Sequence, residues 1–356
     1  MPHVLTSIDQ ATPAWLTGVL CRDGYLLSGE VQSIKVRRIF TEQLASISYF
    51  LAVAYSDDAT PAAPTRLFLK LPRSNLGPGV AAAIGEKEVC MYQALAEHQR
   101  ELPIIQCYDA VYDSARGAYH ILLDDLSDTH DQPAWHLEIA ERYITQTVDC
   151  LAQFHAYWWE HPRLGAIAGV LPALATMQAE IQRLQGAFAG FADVAGDRLS
   201  AEDRGIYEAI LTALPALWRQ RTNPRGQTLV HGDAHFWNFL YPLDSQRHHT
   251  CILDWQLSHI CPSTQDLAYA IVLRYPHRTP AIERGLLTRY YDRLLLYGVP
   301  NYSWEACWND YRRQAAEQVL FPLRCWMSGL PTDFWNVFLQ RPLTAFRDLG
   351  CAEVLA

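Results

Sequence analysis

The chain is short of charge, and most of all of positive charge. Only 19% of its 356 residues are charged, with Lys+Arg 29 against Asp+Glu 38 and a formal net charge of -9. The basic face that a general nucleic-acid binder needs to neutralise phosphates is therefore not expected. No apolar run approaches the ~18 residues that span a bilayer, so no membrane segment is expected. The opening MPHVLTSIDQATPAW lacks a basic stretch followed by an apolar core, which argues against a signal peptide. The nine cysteines are scattered, odd in number and without a CxxC pair. They read as reduced, buried thiols in a cytoplasmic protein, not as a disulfide framework or a zinc site. No G-x-S-x-G elbow supports a serine hydrolase.

What is abundant is apolar. Half of the residues are hydrophobic and 12% are aromatic, too many for a disordered chain and enough for a large core. At about 150 residues per domain the length predicts two domains or lobes.

Residues 1–30 read as an amphipathic lead-in. Glu30–Ile39 alternates, Ser48–Tyr55 is apolar and aromatic, and RLFLKLP (Arg66–Pro72) follows a turn-rich insert. These runs predict an antiparallel meander. The breaker-rich loop SNLGPGVAAAIG leads into a helix, EKEVCMYQALAEH. IIQCYDAVYD and AYHILLDDL predict two more strands. From His136 onward helical spacing dominates, over Arg142–His161 and around Leu171–Phe188, Ala201–Leu217, Asp266–Leu273, Ala281–Tyr297 and Trp304–Ser328. One β-rich stretch, TLVHGDAHFWNFLYP…HTCILDWQ, interrupts them. No internal repeat is evident.

That interruption carries the chemistry. An apolar strand ends in His231-Gly232-Asp233, Asn238 follows, and a second short strand ends in Asp254-Trp255-Gln256. Two carboxylates and a carboxamide on adjacent β-hairpin elements suit Mg²⁺, a hard cation that takes few protein oxygens and keeps room for phosphate and water. One Asp is then left to orient and deprotonate a hydroxyl.

The pattern H-G-D-x-x-x-x-N followed by D-W-Q resembles the aminoglycoside phosphotransferase and choline-kinase-like superfamily, most closely its ecdysteroid-kinase-like branch. The resemblance implies an α+β, protein-kinase-like fold of two lobes. A nucleotide-binding lobe over 1–123, with an antiparallel sheet and a helix, meets a hinge at 124–128. A mostly helical lobe over 129–356 carries the catalytic loop, metal and acceptor sites. The implied activity is transfer of the γ-phosphate of ATP, with Mg²⁺, to a hydroxyl of a small molecule. Aminoglycoside, choline, steroid-like and macrolide acceptors all stay open. By the same resemblance Asp233 is the catalytic base, His231 a structural member of its loop, and Asn238 and Asp254 are metal ligands.

Other positions follow from it. Lys70, odd on an apolar strand and otherwise a snorkelling edge lysine, resembles the lysine that contacts the α/β-phosphates. Glu88 resembles its ion-pair partner, with Glu86 as the rival on another helix face. YHILLDDLSD resembles the hinge, with the Asp124 carbonyl and Leu126 amide meeting the adenine edge and Leu122 or Leu123 behind it. The hinge acids themselves read as solvated loop charges. Asp266, opening DLAYAIVL, reads as a helix N-cap. Between the first two strands, Phe40–Ser48 contains no glycine, so Ala45, Ser46 and Ser48 are the small residues whose amides would approach phosphate. His235, Gln256 and Asp128 are candidates to touch the acceptor. Trp304, Trp308, Tyr311, Trp326 and Trp335 are candidates for an aromatic wall, against core packing as the simpler role.

Three rival readings compete with this one. Gly77-Pro78-Gly79-Val80-Ala81-Ala82 imitates a dinucleotide-binding turn, but its proline and the absence of a βαβ series favour a plain loop. His231-Gly232-Asp233-Ala234-His235 imitates a metal-hydrolase site that would need His248, His249 or His259 as well. A catalytically weak nucleotide-binding module is favoured by the glycine-free loop and opposed by the presence of Lys70, Asp233, Asn238 and Asp254.

Overall fold

The computed structural model describes residues 4–41, 46–73, 78–99, 101–134, 139–169, 173–220 and 225–355, with side chains omitted for residues 78–84 and 220. Ala45 and Gly77 lie outside the described residues. The chain divides into two compact units, Met1–Asp131 with Leu240–Leu257, and Gln132–Phe239 with Ser258–Ala356. The hinge segment 124–128 lies inside the first unit. The stretch carrying Asp254 returns to that unit after the chain has left it.

The first unit is built on an antiparallel sheet of β1 (Val31–Phe40), β2 (Ser46–Tyr55), β3 (Arg66–Pro72), β4 (Cys107–Asp113) and β5 (Ala118–Asp124), in the order β1-β2-β3-β5-β4. Strand alternation gives it two different faces. Leu51, Val53, Leu67, Leu69, Leu71 and Leu122 point to one side and bury against Leu16, Val19 and Leu20 of helix α1 (Pro13–Arg22). Thr12 caps that helix by accepting from the Trp15 amide, with Pro13 in the first turn, where its missing N–H costs nothing. A chain of polar groups running inward from the exposed Arg22 ties α1 down. Arg22 pairs with Asp109 at 3.0 Å, Asp109 meets His120 Nε2 at 2.9 Å, and His120 Nδ1 accepts from the Leu5 amide at 3.1 Å.

The other face carries Ser48, Phe50, Phe68 and Lys70, in register with Ile121 and Leu123 of β5. Helix α2 (Pro78–Leu95) lies on this side. Its approach is set by Gly85, where a Cβ would fall 2.1 Å from the Tyr119 ring. Glu88 is one turn further on, on the same helix face. The small strands β6 (His130–Asp131), β8 (Phe239–Pro242) and β9 (Cys251–Ile252) form a separate sheet in the order β6-β8-β9.

The second unit is mostly helical: α3 (Glu141–Tyr157), α4 (Leu164–Ile167), α5 (Leu174–Ala195), α6 (Ala201–Gln220), α7 (Thr264–Ala268), α8 (Pro280–Leu296), α9 (Trp304–Gln318), α10 (Phe321–Met327), α11 (Thr332–Asn336) and α12 (Gln340–Asp348). Helix α3 buries Ile144, Val148, Leu151 and His155, a stripe at helical spacing. β7 (Gln227–Val230) pairs antiparallel with β10 (His259–Pro262). Strand β7 is therefore not hairpin-paired with β8, as the sequence suggested. Gly232, at φ 82°, and a 3-10 turn at Phe236–Asn238 turn the chain away. The continuous helix expected over Trp304–Ser328 is broken before α10, because Pro322 falls in that helix's first turn and cannot extend α9. The helix expected over Asp266–Leu273 is a short α7 followed by a π-helix over Tyr269–Arg274. Among the described residues no helix is long and apolar enough to cross a membrane.

Gly85→Ala should lower stability by about 1–3 kcal/mol, the range for overpacking. A urea melt with an unchanged midpoint would show that the approach of α2 to Tyr119 is not a tight constraint.

Candidate active site

The first unit gathers Lys70, Glu88 and Asp254. Lys70 sits on β3 opposite Ser48 and Ile121, only 7% exposed. Its Nζ donates to both Glu88 carboxylate oxygens at 2.8 Å and to Asp254 Oδ1 at 3.2 Å. Glu86 is exposed and Glu88 buried, as expected for residues two apart on a helix. Asp254 adopts a left-handed backbone, φ 68°, and its amide lies 3.4 Å from the Tyr92 hydroxyl. Such a conformation is uncommon for a residue with a side chain and tends to occur where function holds it. Trp255, fully buried, opens the 3-10 turn that follows and carries Gln256.

Burial would discharge Lys70, but Asp254 and Glu88 outweigh it and hold its pKa above the ordinary lysine value. Glu88 is pushed up to about 7 by burial, with the Asp254 charge adding to the shift and Lys70 opposing it. The Tyr119 hydroxyl is pushed up to about 12, again by burial first. One ammonium thus serves two carboxylates.

Ser46 and Ser48 lie within β2, paired with Pro72 and Lys70, so the loop before them is shorter than the sequence suggested. Phe68 was not singled out from sequence. It stands two residues before Lys70, shares its face by alternation, and packs edge-on to Phe50 at 5.2 Å. Leu123 faces this same side, whereas Leu122 belongs to the opposite core. In the segment expected as the hinge, the Asp124 amide donates to Gln106 O at 2.9 Å, and the Leu126 carbonyl accepts from the amides of Thr129 and His130. The hinge acids are not uniformly solvated. Asp125 is buried, and the more exposed Asp128 pairs with Arg66.

The second unit gathers His231, Asp233 and Asn238. The loop after β7 is held from below by Asp266. That fully buried carboxylate accepts from the His231 amide at 2.6 Å, the Gly232 amide at 2.9 Å, and His155 Nε2 at 3.1 Å. Asp266 is therefore not the N-cap of α7. Ser263 precedes the helix, and the Asp266 carboxylate is turned onto the loop. His155 Nδ1 reaches the Tyr290 hydroxyl at 2.8 Å, which completes the buried chain. Within the loop, His231 Nδ1 accepts from the Asp233 amide at 3.2 Å. Asn238 donates Nδ2 to the Asp233 carbonyl at 2.9 Å and approaches Asp233 Oδ2 at 3.4 Å. These bonds use its Nδ2, and its Oδ1 is a hard oxygen of the kind Mg²⁺ takes. The Asp254 carboxylate of the first unit is a hard oxygen donor of the same kind. His235 Nε2 lies 3.5 Å from Asp233 Oδ2.

Two neighbours of Asp233 were missed in the sequence. Tyr269 donates its hydroxyl to Asp233 Oδ1 at 2.6 Å, and Arg274 Nη2 donates to the Tyr269 hydroxyl at 2.7 Å. Residues five apart do not share a face of an α-helix, but the i→i+5 geometry of a π-helix brings them over one another. The helical pattern of DLAYAIVLR gave no sign of that turn. Tyr269, Phe321 and Phe338 form a run of rings at 5.8 and 5.2 Å, with the Arg274 guanidinium 4.6 Å from the Phe338 centroid. Of the proposed aromatic wall, Tyr311 and Trp335 are fully buried core side chains. Trp335 packs on Phe191, while Trp304 and Trp308 stack at 5.9 Å. The extra histidines of the hydrolase reading do not gather. His259 bonds Gln265, His248 lies against His130, and no group of three or more His, Cys, Asp or Glu among the described residues is placed to hold a metal ion.

Burial opposes ionisation of Asp266, but the hydrogen bond and charge of His155, with His231, hold its carboxyl below the usual carboxylate range. A depressed folded pKa contributes stability that is present above the unfolded value and lost as pH falls. Asp266→Asn should therefore cost roughly 3–5 kcal/mol at neutral pH, as for a broken buried pair. Its stability should also fall less steeply than that of the native chain on acidification below about pH 4. Parallel urea midpoints between pH 7 and pH 3 would sink this account.

Residues 54–304 match a family model described as the phosphotransferase enzyme family. Among solved structures, a choline kinase from Cryptosporidium parvum Iowa II aligns at 11% identity and a TM-score of 0.56, covering 97% of this chain and 95% of that one. A Ralstonia eutropha protein described as an aminoglycoside phosphotransferase aligns at 16% identity and a TM-score of 0.53, covering 95% and 98%. The GDP complex of an aminoglycoside 2'-phosphotransferase-IIIa variant gives 14% and 0.52, covering 95% and 97%. No curated protein matches. At these identities the likeness is one of fold, α+β and protein-kinase-like, with an antiparallel sheet toward the N-terminus and helices toward the C-terminus. The family model reaches from β2 to the start of α9 and includes Lys70, Glu88, Asp233, Asn238 and Asp254, and by that match the chain belongs to the phosphotransferase enzyme family.

Proposed function

We propose that the protein transfers the γ-phosphoryl group of ATP to a hydroxyl of a small molecule. The observation that carries this reading is the buried Lys70 ammonium, held at once by Glu88 and Asp254. A lysine fixed at this position is a point charge ready for phosphate oxygens, and its carboxylate partner keeps it from swinging away. On the same face, Phe68 and Leu123 offer apolar surface to a base, with the Asp124 carbonyl and Leu126 amide as its polar edge.

Mg²⁺, held by Asn238 Oδ1 and the Asp254 carboxylate, would supply neutralisation of phosphate charge. The chain's own residues do the rest. Lys70 binds and orients the phosphates. Asp233, with Oδ1 held by Tyr269, keeps Oδ2 for the acceptor hydroxyl and takes or aligns its proton. Catalysis of this kind is chiefly positioning and charge neutralisation. His235 is beside Asp233 and suited to touching the acceptor. Asp128, paired with Arg66, is better suited to the hinge.

A coupled ADP-release screen over hydroxylated small molecules, run with ATP and with GTP, tests the reading. Asp233→Ala should lose at least ~100-fold in turnover, as for removal of a general base, while still binding ATP. Full activity in that variant would remove Asp233 from the reaction. Asp254→Ala should abolish the Mg²⁺-dependent turnover. A wild-type dependence on Mg²⁺ concentration in that variant would remove Asp254 from the metal site.

A further inference from the structure

The hinge holds a buried carboxylate to which the phosphotransfer reading gives no task. The Asp125 side chain is 1% exposed. Its Oδ2 accepts from Arg37 Nη1 at 3.0 Å and from Arg66 Nη2 and Nε at 3.2 and 3.3 Å, and its Oδ1 accepts from the Ser127 amide at 3.0 Å. Arg66 also donates to Ser127 Oγ at 2.8 Å and pairs with Asp128. The two guanidinium groups come from different strands, β1 and β3, which β2 separates.

The geometry looks built for this contact. Arg37 is the extra residue of a β-bulge, because Val36 pairs with Leu51 and Arg38 with Phe50 while Arg37 falls between. A bulge releases one side chain from strict alternation and re-aims it. Arg38 lies over the Phe50 ring at 3.9 Å, so an unbulged strand would send Arg37 to the opposite face. The bulge lets both arginines serve the side on which Arg66 and Lys70 stand. In β2 the residue opposite Arg66 is Ala52, whose small side chain leaves room for Arg37 to reach across.

The position of Asp125 gives the cluster a purpose. The peptide units on either side of its Cα carry the Asp124 carbonyl and the Leu126 amide, the two groups assigned above to the base. With the side chain anchored, the Asp125 amide on Arg66 O at 3.4 Å and the Ser127 amide on Oδ1 at 3.0 Å restrain the peptide planes on both sides.

We propose that Asp125 is a positioning residue for recognition of the nucleotide base, clamped by Arg37 and Arg66 so that the hinge backbone is set before the nucleotide arrives. This rests on the nucleotide reading of the hinge. A pre-set backbone spares the ordering cost that binding would otherwise carry.

The test compares Mg²⁺-ATP with Mg²⁺-tripolyphosphate, which has the phosphates and no base, by isothermal titration. Asp125→Asn should weaken ATP about tenfold and Arg37→Gln about threefold, the scale of a lost preorganising contact. Both variants should bind tripolyphosphate as the native chain does. Arg37 is 39% exposed, so Arg37→Gln keeps the test intact where Asp125→Asn fails to fold. Unchanged ATP affinity in the variants that fold, or equal loss for both ligands, overturns the proposal. A native chain that binds ATP no tighter than tripolyphosphate refutes base recognition at the hinge itself, and the positioning role falls with it.

Discussion

The constraint on which the first unit depends is a single buried ammonium with two claimants. Lys70 cannot remain charged at 7% exposure without carboxylates to hold it. Glu88 and Asp254 meet that need from opposite directions in the chain, one on a helix and one in a left-handed turn. Much of the local architecture follows from it. The Gly85–Tyr119 contact lets α2 come close enough for Glu88 to reach the strand. The twofold alternation of β3 places Lys70 on the face away from the leucine core. With two carboxylates around one ammonium the site favours a further cation, which fits a family that handles phosphate.

The second unit solves a different problem with the same economy. There the group that needs holding is backbone: the amides of His231 and Gly232, turned inward where a loop leaves its strand. Asp266 takes both and is itself anchored by His155 and Tyr290. A loop fixed this way can present Asp233 with a defined orientation. Tyr269 then holds one Asp233 oxygen at 2.6 Å, while Asn238 stands 3.4 Å from the other. The two carboxylates have opposite duties. Asp266 is consumed by structure, and Asp233 keeps an oxygen available.

The parts legible in the sequence were those with a period or a spacing. The strands of the β1 to β3 meander, the amphipathic stripe of α3, and the H-G-D-x-x-x-x-N run all announce themselves through local pattern. The illegible parts depended on contacts across long separations or on departures from regular geometry. Asp266 looked like a helix cap because its sequence neighbours are helical, while its true partners lie 34 and 35 residues earlier. Arg274 was hidden by a π-turn that no apolar pattern encodes. Asp125 looked like a loop charge, because a bulge in β1 is invisible until its partner strand is known. Leu122 and Leu123 could not be told apart until register assigned each to a face. Family resemblance supplied chemical roles at Lys70 and Asp254 that composition alone could not have reached.

The return of Leu240–Leu257 to the first unit bears on how the molecule can be made. Lys70 and Asp254 are 184 residues apart in the chain. During synthesis the sheet, α1 and α2 leave the ribosome early, yet their charge balance stays incomplete until the short stretch around Asp254 emerges. Long-separation contacts of this kind slow folding, because a large loop must close before its contact is made. The same connectivity defeats dissection. No contiguous fragment contains the whole first unit without also carrying residues 132–239 of the second, so a cut after Asp131 would release a sheet whose buried lysine has lost one of its two partners.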